Sequence, residues 1–131
     1  MKTILLIEDN IDILEILIEY LELEGFKVLA TNNGKEGIVL ANEHLPDLII
    51  CDVLMHGMNG HEVLSLIHNT TTTTRIPFII STSLSEKIDR EATLKLGADD
   101  YIIKPYALED LLKMANYWIK TGNNNFPLNA A

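Results

Sequence analysis

The sequence predicts an α/β fold in which helices cover both faces of a parallel sheet. Three observations predict it. Short apolar runs alternate five times with stretches whose apolar residues recur at helical spacing. The central run, LIIC at 48–51, has no polar interruption, as expected of a strand buried on both faces. Reactive side chains stand where the runs stop, as expected where ligands bind beyond the carboxyl ends of parallel strands.

Residues 3–7 (TILLI) read as the first strand. Asn10 can cap a helix whose stripe is Ile11, Leu14, Leu17, Ile18 and Leu21, with Asp12, Glu15, Glu19 and Glu22 opposite and Gly25 at its end. Residues 26–30 (FKVLA) are the second strand, and TNNG is a turn. The second helix, 35–44, presents Ile38, Val39, Ala41 and Leu45 and stops at Pro46. After the third strand and the loop VLMHGMNG comes a third helix, 60–68, with Val63, Leu64 and Ile67 inward. The run NTTTTTR is a connector of no obvious structure. IPFIIST is the fourth strand, with Pro77 at its start. Ser83 and Glu86 have capping-box spacing for a fourth helix lined by Ile88, Ala92 and Leu96 and ended by Gly97. Residues 101–104 (YIIK) are the fifth strand. Leu108, Leu111, Leu112, Ala115 and Ile119 line the fifth helix. One domain over 1–122 and a flexible tail over 123–131 are expected.

Composition narrows the function. Nineteen acidic against ten basic residues give a net charge of −9, which argues against nucleic-acid binding by this chain and suits metal cations or basic partner surfaces. No run approaches the ~18 apolar residues of a membrane span. The short run before Glu8 does not read as a signal peptide, and Cys51, the one cysteine, cannot form an internal disulfide, which fits a cytoplasmic setting.

The strand ends carry the chemistry: Glu8 and Asp9 after the first, Asp52 after the third, Thr82 after the fourth, Lys104 after the fifth. Each alone is an ordinary turn former, cap or surface group. On one edge of a parallel sheet they converge. Two carboxylates ~5 Å apart repel by roughly 3 kcal/mol at an effective dielectric near 20, so three should take up a proton or a cation. Oxygen-only donors select a hard ion such as magnesium. His44, His56, His61 and His68 lack the paired spacing of a zinc site. A divalent ion beside a carboxylate suits phosphoryl transfer, with the Lys104 ammonium and the Thr82 hydroxyl serving the phosphoryl oxygens.

LLIEDN, PDLIICDVLMHGMNG, IPFIIST and GADDYIIKPY together resemble the receiver domain of two-component response regulators, over about residues 2–120. The resemblance implies a doubly wound, flavodoxin-like sheet of order 2-1-3-4-5. It implies that Asp52 accepts a phosphoryl group from a histidine kinase or phosphotransfer protein. It further implies that Glu8, Asp9, Asp52 and the Leu54 backbone carbonyl hold Mg2+, for which Mn2+ can substitute. Thr82 and Lys104 would contact the phosphoryl group, Lys104–Pro105 would be a cis peptide, and Thr82 with Tyr101 would form the switch. The output would be a changed face of the fourth helix, fifth strand and fifth helix that binds a downstream protein, with a homodimer left open. Such a chain is a phosphoacceptor switch rather than an enzyme, either standing alone or cut from a longer polypeptide.

Two departures stand out. His56 occupies a position usually held by proline, and Ser83 one usually held by alanine or glycine. Leu54 and Leu84 match positions that set self-dephosphorylation, and both are apolar here. An aspartyl phosphatase would need a second acid two residues after Asp52, where Leu54 stands. A flavin protein would need Ser, Thr and Gly where Glu8 and Asp9 stand.

Overall fold

A computed structural model describes residues 1–83 and 87–130, without the side chains of 87, 88 and 123–130. Its elements are β1 (Thr3–Ile7), α1 (Ile11–Leu23), β2 (Lys27–Thr31), α2 (Gly34–His44), β3 (Leu48–Asp52), α3 (Gly60–His68), β4 (Phe78–Thr82), α4 (Lys87–Lys95), β5 (Asp100–Ile103) and α5 (Leu108–Ala130). All four strand pairings are parallel, in the order β2-β1-β3-β4-β5. This is the doubly wound arrangement expected from the sequence.

Strand alternation divides the core into two layers. Ile4, Leu6, Leu48, Ile50, Ile79 and Ile102 face α1 and α5, where they meet Leu14, Leu17, Leu21, Leu111, Ala115 and Ile119. Leu5, Ile7, Ile49, Cys51 and Ile80 face the other side, where they meet Val63, Leu64 and Ile67 of α3. Helix entries are fixed locally. The Asn10 side chain accepts a hydrogen bond from the Ile13 N–H at 3.1 Å. Asn59 and Glu62 close a reciprocal capping box at the start of α3. Gly25 and Gly97 end α1 and α4 with φ of +97° and +108°.

Several sequence expectations are corrected. α4 does not turn Ala92 and Leu96 inward; both are exposed, and Thr93 is completely buried in their place. The Thr93 hydroxyl lies 2.7 Å from His61 Nε2 on α3, so this polar helix seats itself through a satisfied hydrogen bond. Ile11, Val39 and Leu45 are exposed, Leu45 because it closes α2 in the left-handed region at φ 45°. The threonine run is ordered around Thr73, which is fully buried and donates to the Ile67 carbonyl at 2.7 Å. The backbone of α5 is helical from Leu108 to Ala130. Gly122 is not a helix stop: a Cβ there would press on the Pro77 ring, so the glycine serves close packing of α5. The expected Ser83–Glu86 capping box and the positions of Leu84 and Ile88 lie outside the described residues.

Candidate functional site

The site begins with three strands that end in step. β1, β3 and β4 run side by side, and Glu8, Asp52 and Ser81 each lie two residues beyond an apolar residue facing α1 and α5 (Leu6, Ile50 and Ile79). Their side chains therefore emerge on one face of the sheet. Lys104 stands in the same relation to Ile102, next to β5. Of the groups expected from the sequence to converge, Glu8, Asp52 and Lys104 do so. Lys104 Nζ lies 2.6 Å from Glu8 Oε1 and 3.5 Å from Asp52 Oδ2, bridging residues 96 and 52 positions away in sequence. The Lys104–Pro105 peptide is cis, and the Lys104 N–H donates to the Thr82 carbonyl at 2.8 Å.

Burial sharpens the electrostatics. Glu8 and Asp52 are only 4% and 7% exposed. Burial, then the charge of Glu8, raises the Asp52 carboxyl from 3.8 to about 6, against the opposing pull of Lys104. For Lys104, burial disfavours the ammonium, but its hydrogen bond to Glu8 and the charges of Glu8 and Asp52 outweigh that and raise its pKa. Glu8 and Asp52 against the Lys104 ammonium leave one negative charge uncompensated, and Asp9 is the residue next to Glu8. That excess, on oxygen donors alone, fits a hard divalent cation. As the side chains stand, no three carboxylate, histidine or cysteine groups among the described residues are arranged to hold a metal ion. Glu8 is committed to Lys104, and its other oxygen accepts the Asn10 N–H at 3.0 Å.

Thr82 is fully buried, and its place two residues after Ile80 sends it to the opposite face from Asp52. Tyr101 is on that side too, 6% exposed and packed in the core, so its ring already points inward. Leu54 is exposed and Asp9 is half-buried. Cys51, though adjacent to Asp52, is no nucleophile: burial and then the Asp52 charge push its thiol well up.

Sequence reading overlooked three supports. A Cβ at Gly60 would run into the Asp52 carbonyl, so only glycine lets α3 start this close to the end of β3. Ser81 sits in register with Asp52, and Tyr106 packs on the same side. The first of the two hydroxyl residues that close the FIIST strand is the available signal for Ser81.

Known proteins share the sequence pattern and the fold of this chain. Residues 4–116 match the response regulator receiver domain. Protein PilH of Pseudomonas aeruginosa is 34% identical over 116 residues, which span 88% of this chain and 96% of PilH. The transcriptional regulatory protein CpxR homolog of Haemophilus influenzae is 39% identical over 112 residues, 86% of this chain and 48% of that protein. The chain thus spans about half the length of the Haemophilus relative. The crystal structure of a CheY-like response regulator receiver domain protein from Methanospirillum hungatei superposes with a TM-score of 0.89 at 26% identity, covering 95% of this chain and 98% of that one. A signal receiver domain of a histidine kinase from Syntrophus aciditrophicus gives 0.86 at 32% identity, with 92% of each chain covered. By sequence pattern and by fold, the chain belongs to the response regulator receiver domain family.

Proposed function

We propose that this chain is a phosphoacceptor switch that receives a phosphoryl group on Asp52 from a histidine kinase or a phosphotransfer protein. The observation that carries the reading is the buried Asp52 carboxylate with Lys104 Nζ 3.5 Å from it at the carboxyl edge of the sheet. An Asp52 oxygen attacks phosphorus. The bond from phosphorus to the donor imidazole nitrogen breaks, its electron pair stays on that nitrogen, and the nitrogen takes up a proton. Lys104 offsets charge on a phosphoryl oxygen, and Thr82, by moving towards the site, donates to another. Glu8, Asp9, Asp52 and the Leu54 carbonyl are the groups that would hold Mg2+ or Mn2+, which when bound supplies positive charge to the phosphoryl oxygens. Glu8 already serves Lys104, so the reading leans most on Asp9, Asp52 and Leu54. The output is carried by α4, β5 and α5, with Tyr101 inside them, to a downstream protein.

Incubation with acetyl phosphate or phosphoramidate and magnesium tests this. Intact mass should rise by one phosphoryl group. A chelator should abolish the gain, and added Mg2+ or Mn2+ should restore it. Undiminished labelling in chelator contradicts the metal assignment.

The exposed, apolar Leu54 cannot orient an attacking water by hydrogen bonding. Leu54→Asn combined with Leu84→Glu should shorten the lifetime of the phosphoryl group about tenfold, the value of one hydrogen bond of ~1.4 kcal/mol gained in the transition state. A lifetime equal to wild type counts against this role.

A further inference from the structure

Ser81 is the one described buried side chain whose polar atom, Oγ, has no hydrogen-bond partner. It is 3% exposed. A buried hydroxyl without a partner is unfavourable, so its presence calls for a reason. Its position supplies one. Ser81 pairs in register with Asp52 on the neighbouring strand, and both side chains leave the same face of the sheet. Adjacent strands are ~4.8 Å apart, so rotation about the Cα–Cβ bond brings this hydroxyl within reach of the Asp52 carboxyl. The Tyr106 phenol is close enough to feel Ser81 together with Lys104, Glu8 and Asp52. The two hydroxyls lie close enough to interact, but not in the geometry of a formed hydrogen bond, so Tyr106 is the one competitor for Ser81 that the test must separate.

We propose that Ser81 is a second hydroxyl of the phosphorylation site, donating to the Asp52 oxygen that does not carry phosphorus. Thr82 approaches from the opposite face of the sheet, so the two hydroxyls have separate tasks. This inference rests on Asp52 being the acceptor. In hydrolysis of the acyl phosphate, a water oxygen bonds to phosphorus and the bond from phosphorus to the Asp52 oxygen breaks. Its electron pair returns to the carboxylate, the water's proton passes to solvent, and inorganic phosphate leaves. Negative charge grows on the carboxyl group as it departs. A donor on the other carboxyl oxygen stabilises that charge, so Ser81 shortens the life of the phosphoryl group.

The test compares wild type, Ser81→Ala, Ser81→Thr and Tyr106→Phe, each labelled with phosphoramidate. Loss of the donor should lengthen the phosphoryl lifetime about three- to tenfold in Ser81→Ala. It should also move the infrared carbonyl band of the acyl phosphate to higher frequency. Ser81→Thr should restore both values, and Tyr106→Phe should leave both as in wild type. Thermal unfolding of unphosphorylated Ser81→Ala should be no easier than wild type, since no bond is lost, whereas a structural hydroxyl would be missed. A labelled Ser81→Ala with wild-type lifetime and band overturns the proposal while leaving Asp52 as acceptor. Effects seen in Tyr106→Phe and absent from Ser81→Ala also overturn it. Failure of the wild type itself to label overturns both readings.

Discussion

Asp52→Asn is expected to take no phosphoryl group from acetyl phosphate, and to fold more stably than the wild type at neutral pH. The first outcome follows from the loss of the nucleophilic oxygen, because the amide that replaces it is neutral and poorly nucleophilic. The second follows from the cost of keeping a carboxylate where burial and Glu8 oppose its charge. A folded-state pKa of about 6 against 3.8 means that the folded chain binds the Asp52 proton more tightly than the unfolded chain does. The penalty is therefore complete above about pH 6 and disappears as pH falls through the window from about 6 to 3.8. In urea titrations with chelator present, the substitution should add on the order of 2–3 kcal/mol at pH 7.5 and close to nothing near pH 4. A gain that grows towards acid would contradict the charge argument.

Lys104→Met should act in the opposite direction. It leaves Glu8 and Asp52 facing each other without the ammonium that lies 2.6 and 3.5 Å from them. Removing one member of a buried ion pair usually destabilises by about 3–5 kcal/mol, and the partial exposure of Lys104 reduces that to about 2–4. The loss should shrink in the double variant with Asp52→Asn, because one of the two stranded charges has gone. Additivity of the two substitutions in a double-mutant cycle would mean that Lys104 and Asp52 do not share a pocket. Phosphorylation of Lys104→Met should also be much slower, since no cation other than the metal then meets the phosphoryl oxygens.

The sequence makes some of this legible because strand and helix periods differ. Five apolar runs of strand length locate the strands within a residue or two, and their ends locate Glu8, Asp52 and Lys104. Rotation of a helix about its axis is less legible when the helix has few apolar residues. α4 is mostly polar, so Ala92 and Leu96 look like its inner face in sequence, while a hydrogen bond between Thr93 and His61 sets the actual one. Gly122 illustrates a second limit. Glycine serves both helix ends and close packing, and only the neighbouring Pro77 tells which. The Glu8–Lys104 ion pair joins residues 96 apart, so no local pattern could announce it; the sequence assigned the two groups to a metal and a phosphoryl group separately. Ser81 is one residue short of the end of β4, where Thr82 carries the hydroxyl that the sequence pattern singles out.

Reductive trapping tests the central claim most directly. Borohydride converts an aspartyl phosphate to homoserine, and peptide mass spectrometry of the phosphorylated, reduced protein reads its position. Homoserine at residue 52 alone is the expected result. Homoserine at Asp9 or another aspartate in place of 52, the longer alcohol 2-amino-5-hydroxypentanoic acid at Glu8, or no reduced residue in protein that carries a phosphoryl group, would contradict the account.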